Sequence, residues 1–210
     1  MFIRRTFRTM AVLLLGAFAM GAPTPASAGT AATPEVFING MAEGALQTLK
    51  DKASQPEMEQ RFGALLNDDF DMPRISRFVL GRYWMTASDQ EKQQFQKIFE
   101  TYVVRAYSNR FSQYSGQTVK VDGARDEGDN SYVVTTDIVS PQGGDPIKVD
   151  WRVHKTGDDY RITDVAVEGV SMVLTQKQEF AAVIERTGNG VAGLNAAIQA
   201  KLNGTATAQQ

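Results

Sequence analysis

The chain has 210 residues with 22 Lys and Arg, 24 Asp and Glu, one His and no Cys, and its formal charge is −2. The absence of Cys excludes a disulfide framework, and a single His without Cys excludes the usual zinc ligand sets. Because no basic block occurs beyond the first residues, we do not expect nucleic-acid binding or electrostatic adhesion to anionic lipid.

The N-terminal segment has the pattern of a secretory signal peptide. Three Arg residues stand among the first eight, and residues 11–20 form an apolar run too short to span a bilayer comfortably. Small residues at positions 26 and 28 fit a cleavage site, so we predict a signal peptide over residues 1–28 and export of the rest. An uncleaved membrane anchor is the alternative, and no Cys follows the apolar run to carry a lipid.

The remaining chain has the length of one domain. Removing 28 of the 210 residues leaves 182, with 19 basic and 24 acidic side chains and a formal charge of −5. A domain of this length buries roughly 70% of its unfolded surface. No internal repeat or long low-complexity linker divides it. We therefore predict a single domain over residues 29–204 and a flexible tail over residues 205–210.

The first half of this domain has helical periodicity. Apolar residues recur at helical intervals over residues 34–52 and again over residues 57–70. Asp71 is placed to cap a third helix, with Pro73 in the first turn, where its missing N–H costs little. The sequence thus predicts three helices before residue 85.

A capping box marks the start of the next helix. Ser88 and Glu91 stand three residues apart, so that hydroxyl and carboxylate each satisfy a backbone N–H that a helix start leaves unpaired. We expect the third helix to end near Trp84 and a long amphipathic helix to start at Ser88. Its apolar stripe is rich in aromatic residues and consists of Phe95, Ile98, Phe99, Tyr102, Val103, Ala106, Tyr107 and Phe111.

The pattern changes after Gly116 to runs rich in β-branched residues. These runs are separated by turn compositions, and they cover residues 117–124, 130–140, 145–155 and 159–170. They predict a four-stranded antiparallel meander, followed by helices over residues 171–186 and 191–202. In the third run Ile147, Val149, Trp151 and Val153 alternate with Lys148, Asp150, Arg152 and His154, so one face is covered and the other is wet.

The predicted architecture is α+β, with helices packed on one face of a twisted four-stranded antiparallel sheet. The apolar helical faces exceed what a simple two-layer core needs. The excess suits either a large solid core or the lining of a cavity, and the pattern alone does not separate the two.

Few groups are arranged for catalysis. The chain has no P-loop, no nucleophile elbow and no dinucleotide-binding fingerprint, and His154 is expected to be solvated on the polar face of a strand. Asp68, Asp69 and Asp71 lack the spacing and the Gly of a calcium loop. We therefore interpret them as a helix cap and a polar connection. We predict no catalytic residue, no metal and no cofactor, and therefore a binding protein rather than an enzyme.

Two segments carry motifs at a family-specific spacing. The first runs from residues 80–84 (LGRYW) and 87–88 (AS) through the aromatic-rich helix to residues 114–117 (YSGQ). The second joins residues 168–171 (EGVS) to residues 179–180 (EF) and a final helix with Gly before Leu. In this order the motifs resemble the MlaC family of toluene-tolerance auxiliary proteins, which bind phospholipid in the periplasm. The resemblance covers nearly all of the predicted domain.

The resemblance implies a cystatin-like or nuclear-transport-factor-like curved sheet and a deep apolar cavity between sheet and helices that holds acyl chains. It also implies a periplasmic shuttle between an outer-membrane lipoprotein–porin complex and an inner-membrane ABC-type transporter complex. We expect a monomer with phospholipid as ligand. Because some relatives are associated with hopanoid production, a hopanoid-type lipid is the alternative ligand.

The expected lipid-binding residues lie on the covered strand faces, on the aromatic helix and around the corner at Gly81. A buried CH₂ is worth about 0.8 kcal/mol, so a chain of ~16 carbons is worth roughly 13 kcal/mol against water and needs apolar walls. The predicted walls consist of Phe78, Val79, Tyr83, Trp84, Phe95, Phe99, Tyr102, Val103, Ile147, Val149, Trp151, Val153, Val165 and Val167. A solid core at the corner is the alternative.

Two other classes of protein fit parts of the pattern. A small enzyme on a similar curved sheet would need a buried carboxylate as general base in an apolar pocket, and Asp137 and Asp164 are the candidates because both lie in predicted strands. A periplasmic adaptor or chaperone would instead show an exposed apolar patch and no enclosed volume.

Overall fold

The computed structural model describes residues 33–50, 53–111 and 114–207, and all of them belong to one compact unit. The predicted signal peptide lies outside the described residues. Within those ranges, none of the helices combines the length and the hydropathy that crossing a bilayer requires.

The described residues form an α+β fold, as predicted. The helices are α1 (Pro34–Lys50), α2 (Gln55–Asp69), α3 (Met72–Leu80), α4 (Tyr83–Thr86), α5 (Asp89–Phe111), α6 (Met172–Thr187) and α7 (Gly190–Thr207). The strands are β1 (Thr118–Gly128), β2 (Ser131–Val139), β3 (Ile147–Thr156), β4 (Asp159–Val167) and β5 (Val170–Ser171). The strands pair in chain order as one antiparallel sheet, with α1, α2, α3 and α6 in contact with it.

Two short elements were not predicted from the sequence. The third helix ends at Leu80 rather than near Trp84, because Gly81 adopts φ 52° and ψ −124°, and the one-turn helix α4 follows. The strand β5 forms because residues 168–169 turn tightly with positive φ and return the chain along β4. The last helix continues to Thr207, into the segment for which we expected a flexible tail.

The two predicted helix caps are confirmed. Asp71 Oδ1 accepts from the backbone N–H of Arg74 at 3.0 Å. Ser88 N–H donates to Glu91 Oε2 at 2.7 Å, and Glu91 N–H donates to Ser88 Oγ at 3.2 Å. The Ser88 backbone donor, with help from Ala192 N–H in the first turn of α7, holds the pKa of Glu91 below its usual value. One carboxylate thus joins the starts of α5 and α7.

Two apolar clusters form the core. The helical cluster lies among α3, α5, α6 and α7 and contains Ile75, Val79, Leu80, Phe95, Phe99, Phe180, Ile184, Val191, Leu194, Ile198 and Leu202. The sheet cluster lies between α1 and one end of the sheet and contains Ile38, Val134, Val153, Tyr160 and Ile162. The sheet cluster covers only the end where β2 begins and β3 ends, which leaves the other end of the sheet to be covered differently.

Candidate functional site

A cavity of about 570 Å³ lies between the helices and the end of the sheet that the sheet cluster does not fill. Three cross-strand pairs form its floor. They are Ile147 with Ile138, Val149 with Val167, and Trp151 with Val165. The volume lies within the range of about 300–1,000 Å³ that is typical of small-molecule sites. The lining is predominantly apolar, so it suits an apolar ligand.

Trp151 contributes an apolar surface to this floor because its polar atom is satisfied elsewhere. The indole Nε1–H donates to Thr136 Oγ1 at 2.9 Å, and the Thr136 hydroxyl donates to the Val149 carbonyl oxygen at 3.3 Å. Thr136 is fully buried. The ring is therefore held in place by a hydrogen bond to a buried hydroxyl on the neighbouring strand.

The structure brings eight of the fourteen predicted wall residues together around the cavity. They come from α3, α5, β3 and β4, and they are Val79, Phe99, Val103, Ile147, Val149, Trp151, Val165 and Val167. Their contact with lipid stays a prediction.

Three other predicted wall residues pack in or against the two core clusters and are absent from the cavity lining. Phe95 is fully buried in the helical cluster, with its ring stacked on Phe99 at 5.2 Å and edge-on to Phe180 at 5.7 Å. Tyr102 lies against the same Phe180 ring, and Val153 is fully buried in the sheet cluster. The stripe of α5 is wide enough to serve two surfaces, one toward α6 and α7 and one toward the cavity.

The corner around Gly81 packs on the helical cluster and partly faces solvent rather than the cavity. Phe78, Tyr83 and Trp84 are absent from the cavity lining, and a cationic side chain lies over each ring at 4.6–5.5 Å from the centroid. Val79 alone among the four predicted corner residues reaches the cavity. The structure does not bring these three rings to the cavity: Tyr83 and Trp84 pack, partly buried, against the helical cluster, and Phe78 is 47% exposed.

The N-terminal helices supply walls that the sequence prediction did not assign. From α1 and α2 these are Met41, Ala42, Ala45, Leu46, Phe62, Leu65 and Leu66, and the start of α6 adds Met172, Val173 and Gln176. The apolar stripes of α1 and α2 were visible as periodicity. They were not assigned because periodicity reveals an apolar face without revealing what it covers.

The cavity opens where β3 begins. Ile147 lines the cavity and is nevertheless 46% exposed, which places it at the rim. Tyr114, Gln117 and Gln176 also belong to the lining and carry neutral polar groups. A ligand with a polar end therefore has a wet opening for that end and an apolar interior for the rest.

Asp164 lies in the cavity wall but is committed to structure. It is 8% exposed, its Oδ2 accepts from Ser171 Oγ at 2.6 Å, and its Oδ1 accepts from Val173 N–H at 3.1 Å. Arg152 Nη1 lies 3.8 Å from Oδ2. Both oxygens thus anchor the start of α6, which leaves neither placed as a general base.

The remaining candidates for chemistry lie apart from the cavity. Asp137 pairs across the sheet with Lys120 and alternates with residues that face inward, so it lies on the outer face. His154 Nδ1 lies 3.3 Å from Ser131 Oγ. Burial, with the neighbouring carboxylate of Asp68, raises the pKa of Asp69. In the described ranges, no three His, Asp or Glu side chains converge as a metal site would require.

An apolar cavity between an antiparallel sheet and a layer of helices defines the class as a binding protein for an apolar ligand. The family model described as MlaC protein matches residues 39–200. The chain belongs to the MlaC family, which confirms the resemblance found in the sequence.

Curated relatives and a solved structure agree with this assignment. The chain is 24% identical over 113 residues to the intermembrane phospholipid transport system binding protein MlaC of Haemophilus influenzae, and the match spans 52% of this chain and 53%, about half, of that relative. It is 24% identical over 187 residues to the toluene tolerance protein ttg2D of Pseudomonas putida, covering 86% of each. A phospholipid-binding protein from Ralstonia solanacearum, solved in complex with a phospholipid, matches with a TM-score of 0.69 and 25% identity over 80% of this chain and 96% of that one.

Proposed function

We propose that the protein is a periplasmic phospholipid carrier that encloses acyl chains in the cavity and leaves the headgroup at the open end. The apolar cavity of about 570 Å³ carries this proposal. Membership of the MlaC family and the phospholipid bound to the Ralstonia relative support it. The rim at Ile147, with the neutral groups of Gln117 and Gln176, suits the polar end of such a lipid.

The physical need for a carrier follows from the cost of exposing acyl chains. A chain of ~16 carbons in water costs roughly 13 kcal/mol relative to an apolar environment. A protein that provides apolar walls removes most of this cost during passage between membranes. Because the sequence contains no nucleotide-binding motif, the direction of transport comes from partners that bind the loaded and the unloaded states with different affinity.

The partners in this proposal are an outer-membrane lipoprotein–porin complex and an inner-membrane ABC-type transporter complex. The name of the Haemophilus relative, which places that protein in an intermembrane phospholipid transport system, supports this. Periplasmic location fits the predicted signal peptide over residues 1–28. The eight predicted residues around the cavity are the proposed lipid contacts, and the walls from α1, α2 and α6 extend that set.

Mass spectrometry of an organic extract tests the proposal. The mature chain, residues 29–210, is purified from the periplasm without detergent, extracted and analysed for bound lipid. We expect stoichiometric two-chain phospholipid. A bound hopanoid-type lipid would support the carrier function with a different ligand. Protein without lipid in repeated preparations would contradict a carrier and favour an adaptor.

A further inference from the structure

Three methionine side chains line the cavity, and each belongs to a different helix: Met41 in α1, Met72 at the start of α3 and Met172 at the start of α6. The described residues contain two more, and neither lines the cavity. Met58 is 7% exposed in α2, and Met85 is 79% exposed in α4. One chain thus presents methionine in three environments, namely cavity wall, solid core and open surface.

We propose that the cavity methionines are sites of reversible oxidation by peroxide, and that their sulfoxides exclude acyl chains from the cavity. The thioether sulfur attacks one oxygen of hydrogen peroxide, so that an S–O bond forms as the O–O bond breaks. The sulfur loses two electrons. The proton of the attacked oxygen moves to the departing one, which leaves as water. The product is a methionine sulfoxide, which cellular reductases convert back to the thioether.

Most donors beside Met172 are already committed to other acceptors. Around Met172, the hydroxyl of Ser171 and the N–H of Val173 both donate to Asp164. The amide of Gln176, one turn further along α6, donates to Glu179 at 3.3 Å. Only the second N–H of the Gln176 amide is left among these groups, so the sulfoxide oxygen pairs there, holds water in the cavity or stays unpaired against an acyl chain. Each outcome places a polar group in the apolar wall and disfavours an apolar ligand.

Met172 should react first. Met41 packs partly against the sheet cluster and Met72 against the helical cluster, whereas Met172 belongs to neither cluster. It also stands two residues after Val170, which is exposed at the edge of the sheet. Oxidation follows access of the peroxide to sulfur, so the order Met172 before Met41 and Met72 follows from packing.

This inference rests on the proposed function, because a bound acyl chain would cover all three sulfurs. The lipid-loaded carrier would therefore be protected, and the unloaded carrier would be the form that peroxide inactivates. Met85 lies on the surface in both forms, and Met58 lies in the core in both. These two residues are internal controls for any change in overall reactivity or folding.

The test is site-resolved peptide mass spectrometry of the mature chain treated with hydrogen peroxide. One sample is delipidated, and the other is reloaded with dioleoyl phosphatidylethanolamine. We expect loading to slow oxidation of the three cavity methionines by about tenfold or more, with Met85 fast and Met58 slow in both samples. Oxidised, delipidated protein should bind the same lipid at least about tenfold more weakly.

Matched variants separate the cavity from the surface. The triple variant Met41→Leu, Met72→Leu, Met172→Leu nearly conserves volume, and the lipid affinity that it has before peroxide, whatever its value, should be unchanged after peroxide. Met85→Leu should remain as sensitive as the parent protein. Equal oxidation of the cavity methionines with and without lipid, or undiminished uptake after oxidation, would overturn the oxidation proposal alone. Failure of the untreated parent protein to take up phospholipid would overturn both this proposal and the carrier function.

Discussion

The two ends of the sheet share one sequence pattern and differ in what covers them. Val153 and Ile162 pair at one end, and Val149 and Val167 pair at the other, all on the face toward the helices. The first pair is buried beneath Ile38 and its neighbours in the sheet cluster, whereas the second lines the cavity. The comparison teaches that alternation in a strand fixes which face is apolar, and that the packing of α1 and its neighbours decides whether this face becomes core or cavity.

The largest expected effect is loss of bound lipid from a substitution in the cavity floor. Trp151→Asp places a charge in the cavity floor, and we expect complete loss of copurified lipid because an unpaired charge is excluded from apolar surroundings. Trp151→Phe is the matched control. It keeps an aromatic surface and gives up only the hydrogen bond to Thr136, so lipid should be retained. Lipid content by mass spectrometry and export by immunoblot are the measurements, and normal lipid recovery from the Asp variant would contradict the wall assignment.

The next prediction compares one residue type at the two ends. Ile162→Ala removes a fully buried side chain from the sheet cluster and should lower the free energy of unfolding by about 2–5 kcal/mol. Ile147→Ala trims a side chain at the exposed rim and should cost about 1 kcal/mol or less.

Lipid affinity should show the opposite order for these two isoleucines, because Ile147 lines the cavity and Ile162 does not. Urea unfolding of delipidated protein and lipid titration measure the two quantities. Equal losses of stability from both variants would show that the ends are not distinct.

A third prediction concerns the backbone conformation of Gly81, between α3 and α4. At Gly81, φ is 52°, and an added Cβ would lie 2.9 Å from Lys177 Cε. Gly81→Ala should therefore lower the free energy of unfolding by about 1–3 kcal/mol. The control is Gly44→Ala, which is helical and has open space around the new methyl group, and it should be neutral or stabilising by up to about 1 kcal/mol. Thermal unfolding measures both, and a stable Gly81 variant would contradict the strain.

The smallest expected effect is a pH dependence at the joined starts of α5 and α7. The Ser88 backbone donor lowers the folded-state pKa of Glu91, so its contribution to stability is present above the unfolded-state pKa and is lost as pH falls through the lower folded-state pKa. Because the carboxylate is largely solvated, the effect should be about 1 kcal/mol or less. Glu91→Gln should lose this part of the acid dependence in urea unfolding at pH 7 and pH 3. Parallel pH profiles for parent and variant would contradict it.

The fold could be predicted because its signals are local. The Ser88–Glu91 capping box, the Asp71 cap and the alternation in β3 each depend on a few adjacent residues, and each appears in the structure where it was expected. The break at Gly81 was displaced by four residues. A glycine permits a left-handed conformation without requiring one, and the apolar pattern continues through it.

The membership of the cavity wall could be predicted only in part. Phe95 and Phe99 stand one turn apart on α5 with the same chemistry, yet Phe99 lines the cavity and Phe95 does not. The surroundings of both rings come from α6 and α7, which lie far away in sequence and pack on α5. A periodic pattern records how apolar a face is, and the partner of that face is a long-range property of the fold.

The strand on which α2 and α3 pack also sets an order for folding. The strands pair in chain order, so each hairpin of the sheet closes a short loop and forms from local contacts. Helices α2 and α3 come earlier in the chain, but they meet the sheet at its last long strand, β4. The N–H of Asp71, which caps α3, donates to the Ile162 carbonyl oxygen at 2.9 Å. The apolar stripes of α2 and α3 lack their final partner until β4 has been made. We therefore expect a nascent chain that ends before β4 to bind chaperones more strongly than the complete chain does.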